Sequence, residues 1–144
     1  MQTVGYVGLG AMGGALASHL TKRFNLLVLD RNPAAMAAIQ DARGVSNGAE
    51  LARQADVIFL CLPRSSDVRE AIFGAGGLAE GLTAGKLIID QTSGVPEQTA
   101  AIAAELAARG VMMLDAPLSG GVPAAQAGTV TIIASGPDAA WDMF

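Results

Sequence analysis

Short apolar runs, separated by stretches of helical length and mixed polarity, set the rhythm of the chain. Val4–Val7, Leu26–Leu29, Val57–Leu62, Leu87–Ile89 and Val111–Leu114 are runs of strand length. Val57–Leu62 is near-continuously apolar and stopped by Pro63, the pattern of a strand covered on both faces. Between the runs, helices are predicted over Met12–Lys22, Ala34–Gln40, Ala49–Gln54, Ser66–Phe73 and Ala100–Arg109. Asn32-Pro33 and Pro96 punctuate two helix starts, and Gly110 closes the last helix. Val45 belongs to a short edge strand, Val130–Ala134 has strand composition, and 138–144 begins a further helix. Strand–helix alternation of this kind predicts an α/β domain with a mostly parallel sheet. Right-handed crossovers then place helices on both faces. Ligands of such sheets bind beyond the carboxyl ends of the strands, which narrows the search to 8–14, 30–33, 62–66, 90–94 and 115–121.

Composition agrees with one tight domain. The chain has 144 residues, 51% of them hydrophobic and only 15% charged, with 18 glycines. A net charge of −4 with scattered basic residues offers no footprint for nucleic acid or an anionic membrane surface. Met1–Thr21 carries no charged residue if His19 is neutral, but it has no basic start and five glycines break it, so it is not a signal peptide. Ala116–Pro137 is also uncharged, yet Gly120-Gly121, Pro123 and Gly128 interrupt it, so it is not a membrane span. The single Cys61 excludes an internal disulfide and a Cys-based metal site, and no metal is expected. A reducing, cytoplasmic setting follows as the default.

Candidate chemistry begins at Gly8-Leu9-Gly10-Ala11-Met12-Gly13, a G-x-G-x-x-G set between a predicted strand and a predicted helix. Asp30 ends the next strand 20 residues after Gly10. Gly8 permits the tight turn, Gly10 lets backbone approach a diphosphate, and Gly13 lets helix and strand pack closely. Free amides and the dipole at the helix start favour the diphosphate charge, while Asp30 accepts ribose hydroxyls. This predicts a Rossmann-type, doubly wound fold binding a dinucleotide. A ligand-free turn, a flavin and S-adenosylmethionine stay open as alternatives on these residues alone. Asp30 favours NAD, because a carboxylate repels a 2′-phosphate; the adjacent Arg31 leaves NADP possible.

Longer motifs then carry a resemblance. Val7–Gly13 with Ala17 and Leu20, Asp30-Arg31-Asn32-Pro33, Leu62-Pro63 with Val68, and Ile89–Ser93 with Pro96 are similar to landmarks of the β-hydroxyacid dehydrogenases. That family includes 3-hydroxyisobutyrate dehydrogenase, tartronate semialdehyde reductase and, more distantly, 6-phosphogluconate dehydrogenase. The most specific match is Asp115-Ala116-Pro117-Leu118-Ser119-Gly120-Gly121, followed by Gly128-Thr129-Val130. The resemblance implies that residues 8–13, Asp30, Arg31, Asn32, Leu62, Pro63 and Ser93 contact the cofactor. It implies that Ser119, Gly120 and Gly121 hold a substrate carboxylate or hydroxyl. One departure stands out: Thr92-Ser93 replaces the family's Ser-Thr, which keeps the hydroxyls but alters their order.

Oxidising a hydroxy acid also needs a group that takes the hydroxyl proton. Within the chain, His19 reads as a surface or packing residue and Lys22 lies at the far end of its helix. Lys86 precedes a strand and so sits at the opposite edge of the sheet. Asp90 and Asp115 read as loop braces, since they would repel an anionic substrate. Arg64 falls near the correct edge and reads as solvated. The resemblance implies that a lysine, with a supporting asparagine, comes from a helix beyond Phe144. The expectation is therefore a single dinucleotide-binding domain over 1–144, ending before the family's last strand and its helical domain, and inactive by itself. The implied parent is a homo-oligomeric oxidoreductase acting on a small 3-hydroxy acid, of the 3-hydroxyisobutyrate or 2-hydroxy-3-oxopropionate type. The competing class is a non-catalytic dinucleotide-binding or interaction module.

Overall fold

The computed structural model describes residues 1–144. Five predicted strands assemble where the apolar runs lie: β1 (Thr3–Val7), β2 (Asn25–Leu29), β4 (Val57–Leu60), β5 (Leu87–Asp90) and β6 (Met112–Asp115). With the three-residue β3 (Ala42–Gly44) they form one parallel sheet in the order β3-β2-β1-β4-β5-β6. Register is set by facing apolar pairs such as Val4↔Val57 and Ile58↔Ile88. Consecutive side chains alternate between two cores. Ile58 and Leu60 join Leu51, Val68, Ile72, Ile102 and Leu106 on one face. Val57 joins Val4, Tyr6, Ala17, Val28 and Leu114 on the other. The same strand is buried twice, which is why its sequence shows no polar alternation.

Helices cover both faces: α1 (Ala11–Leu20), α2 (Pro33–Ala37), α3 (Gly48–Gln54), α4 (Ser65–Phe73), α5 (Pro96–Ala107) and α6 (Gly121–Ala127). Side-chain caps fix two starts. Asn32 Oδ1 accepts the Ala34 amide at 3.0 Å, and Asn47 Oδ1 accepts the Glu50 amide at 2.9 Å. No helix is long and apolar enough to cross a membrane.

Four expectations are corrected. Helix α2 stops at Ala37 instead of Gln40, because Ile39 turns into the core and Asp41 adopts φ 62°. Val45 lies just past β3, although its amide still bonds Val28 O at 3.1 Å. The 130–134 run supplies only a two-residue strand, β8 (Thr131–Ile132), antiparallel to β7 (Leu118–Ser119) in a separate hairpin. Its Ile133 stays 62% exposed, so strand composition finds no apolar cover there. The 138–144 helix is one 3₁₀ turn, Asp138–Ala140, too short for the cooperativity that a regular helix needs.

Candidate functional site

The order of the strands reverses between β1 and β4, and a groove opens where their carboxyl ends part. Its first wall is the glycine turn. Gly8 sits at φ +95°, its amide on Leu29 O at 3.0 Å, and a Cβ there would meet the Cys61 carbonyl. Gly13 packs α1 directly on the Gly8 carbonyl. The fold itself demands both glycines. Gly10 is different: its φ of −63° suits any residue, and nothing lies within 4 Å of where its Cβ would be. That opening faces the groove, as a close-approaching ligand requires. The first intrahelical bond of α1 runs from Gly14 N to Gly10 O at 2.8 Å, leaving the preceding amides for an anion.

Asp30 braces this turn. Its Oδ2 accepts the Leu9 amide at 2.7 Å and its Oδ1 the Asn32 amide at 2.8 Å. Two hollows share Gly8, Asp30, Leu62 and Pro63 and so run together along the sheet edge. One, of about 480 Å³, extends past Gly10–Gly13 to Ser93 and Leu118. The other, of about 770 Å³, extends past Arg31, Met36, Val45 and Asn47 to Leu78. The expected residues thus divide. Gly8, Gly10, Ala11, Met12, Gly13, Asp30, Leu62, Pro63 and Ser93 line the first hollow, and Arg31 the second. Arg64 also lines the second hollow, while its guanidinium pairs with Asp67 at 3.2 Å. Leu9 is buried behind the turn, and Asn32 is committed to capping α2. Ser119, Gly120 and Gly121 are exposed outside the groove wall, which only their neighbour Leu118 reaches.

Gln91 and Thr92, which fall within the Ile89–Ser93 landmark but carried no cofactor role in the sequence, line the groove floor. Tyr6 Oη donates to Gln91 Oε1 at 2.5 Å, and Thr92 Oγ1 accepts the Leu62 amide at 3.0 Å. Both contacts span strands distant in sequence, so no local signal announced them. Beneath lies Asp90, 2% exposed, with Oδ1 accepting the Thr92 amide at 3.0 Å. Burial raises its pKa to about 6, against the Thr92 hydrogen bonds, and the Asp115 carboxylate one strand over adds to the rise. Burial likewise pushes up the Asp115 carboxyl, the Cys61 thiol and the Tyr6 phenol. The other candidates lie away from the groove. The buried Lys86 gives its Nζ to Ala52 O, and His19 Nε2 lies against Ala125 O at 2.9 Å and Gln126 O at 3.1 Å. No cluster of metal-ligating side chains is present.

Fold and groove together define a Rossmann dinucleotide-binding domain. Residues 3–144 match the family described as the NAD binding domain of 6-phosphogluconate dehydrogenase, and the chain belongs to it. It is 35% identical over 145 residues to L-threonate dehydrogenase of Cupriavidus necator, covering 99% of this chain and 49% of that protein. The crystal structure of 3-hydroxyisobutyrate dehydrogenase from Salmonella typhimurium superposes with a TM-score of 0.89 at 33% identity, covering 99% of this chain and 50% of that one. The structure of Psf3 in complex with NADP+ and 2-OPP gives 0.91 at 30% identity, covering 97% and 51%. The chain spans about half the length of the relatives it matches. The cofactor class is therefore NAD(P), and the residues present fit it: Gly10 leaves the opening, the start of α1 offers amides, and Asp30 stands at the junction of the two hollows.

Proposed function

We propose that residues 1–144 are the cofactor-holding half of an oxidoreductase that moves hydride between NAD and a small 3-hydroxy acid. The substrate is of the 3-hydroxyisobutyrate or 2-hydroxy-3-oxopropionate type. Bound in the groove, the nicotinamide supplies the hydride acceptor or donor. The chain's own residues bind and orient. Amides at the start of α1 hold the diphosphate, Asp30 accepts ribose hydroxyls, and Leu62, Pro63 and Ser93 flank the nicotinamide end. The turn Ser119-Gly120-Gly121 contributes neutral donors for the substrate anion. Proton transfer belongs to a lysine outside these residues. Within them, Lys86 is buried on Ala52 O and Lys22 is exposed at the far end of α1. The purified chain is expected to bind cofactor and to form no NADH from hydroxy acids.

The observation that carries this reading is the free space at Gly10. Replacing it with valine disturbs nothing in the protein beyond a helix cap, a loss within about 1 kcal/mol. The same side chain fills the approach to the diphosphate. Calorimetric titration of wild type and Gly10→Val with NADH tests this directly. The variant should stay folded and bind about tenfold or more weakly; equal affinity would remove the proposal's foundation. Titration with NADPH settles the choice of cofactor, since the Asp30 carboxylate should make the 2′-phosphate form the weaker ligand. Tighter NADPH binding would reverse that assignment in favour of Arg31.

A further inference from the structure

Asp90 stands out as a buried carboxylate with no cationic partner. It is 2% exposed, and all three ion pairs of the chain lie elsewhere. Burying such a charge costs stability unless it is fully hydrogen-bonded. What Asp90 does hold is the groove floor. Its Oδ1 accepts the Thr92 amide at 3.0 Å. The Thr92 hydroxyl oxygen in turn accepts the Leu62 amide at 3.0 Å. The charge therefore anchors a hydrogen-bond chain: Thr92 N–H to Asp90 Oδ1, and Leu62 N–H to Thr92 Oγ1. Both upper members line the hollow. An amide bonded to a carboxylate is held more tightly than one bonded to a neutral acid.

We propose that Asp90 is a positioning residue, which spends stability to fix Thr92 and Leu62 in the orientation that receives the nicotinamide end of the dinucleotide. This rests on the cofactor-binding reading above. The facing groups are Thr92 and Gln91 above, Tyr6 of β1, Cys61 beyond β4 and Asp115 of β6. Tyr6 and Cys61 keep their protons at neutral pH, since burial raises both. None of these groups supplies a compensating positive charge.

A purely structural residue and a positioning residue differ in the sign of one effect. Asp90→Asn keeps the shape and an acceptor for the Thr92 amide but removes the buried charge. It should raise the urea midpoint at pH 7.5 while weakening NAD+ about three- to tenfold, on the scale of one charge-assisted hydrogen bond. Thr92→Val should weaken NAD+ by a similar factor, and Thr92→Ser should restore it. Wild-type affinity should fall as pH drops through about 6, with the Asn variant flat from pH 5 to 8. Loss of stability in Asp90→Asn, or unchanged NAD+ affinity in Asp90→Asn and Thr92→Val, would refute the positioning role and leave the cofactor reading standing. Failure of the wild-type chain to bind NAD+ overturns both.

Discussion

One glycine turn walls the groove and another lies just outside it beyond Leu118, and they are built on opposite principles. The turn at 8–13 is welded to the sheet. It leaves the central strand β1, bonds Leu29 O and the Asp30 carboxylate, and packs α1 on its own backbone through Gly13. The turn at 119–121 has Gly120 at φ +131° and Gly121 at +70°, follows a two-residue strand, and is exposed throughout. Helix α6 behind it buries only Ala125, and His19 of α1 supplies its main polar tether. The first turn is thus preorganised by the domain's own core. The second depends on a few surface contacts.

Substitutions sharpen that contrast, beginning with the largest effect. Gly8→Val forces a branched side chain into φ +95° and against the Cys61 carbonyl, so urea unfolding should show a loss of roughly 3 kcal/mol or more. A stable Gly8→Val protein would mean that the first turn is far softer than its contacts imply. The pH dependence beneath the groove floor comes next. Burial lifts Asp90 from the ordinary carboxyl value of 3.8 to about 6, so between about pH 4 and 6 the folded chain holds a proton that the unfolded chain has lost. Its contribution to stability is greatest below about pH 4 and declines as pH rises to about 6, by roughly 2–3 kcal/mol. Unfolding curves at pH 4 and 7 should lose this component in Asp90→Asn; parallel slopes for the two proteins would contradict it. His19→Leu should cost no more than about 1 kcal/mol, yet speed hydrogen exchange at Gly128 and Thr129, whose amides bond Ala125 and Ala124 carbonyls. Smallest of all, Ser119→Ala should leave the melting temperature unchanged within about 0.5 kcal/mol equivalent. A larger change would show that the second turn is more tightly built than its exposure suggests.

The same contrast explains what the sequence disclosed. Strands buried on both faces leave an unbroken apolar signature, so β1, β2, β4, β5 and β6 were readable to within a few residues. The glycine turn was readable because each glycine answers a backbone requirement over short range. Contacts joined only by folding were not. Thr92 meets Leu62 across 30 residues and Tyr6 meets Gln91 across 85, and nothing in either neighbourhood encodes the pairing. The run at 130–134 misled for the reverse reason: β-branched residues mark a strand, but what covers it is decided by topology.

A parallel sheet with a bare flank can keep adding strands from other molecules until it precipitates. Here one flank, β3, is three residues long. At the other, Ser135 bonds Asp115 in both directions, at 2.9 and 2.8 Å, while Gly136 presses against Leu114 and the Met113 carbonyl. The segment at 135–136 therefore acts as a selvedge for the carboxyl end of β6, and leaves less bare backbone there through which copies could knit themselves side by side.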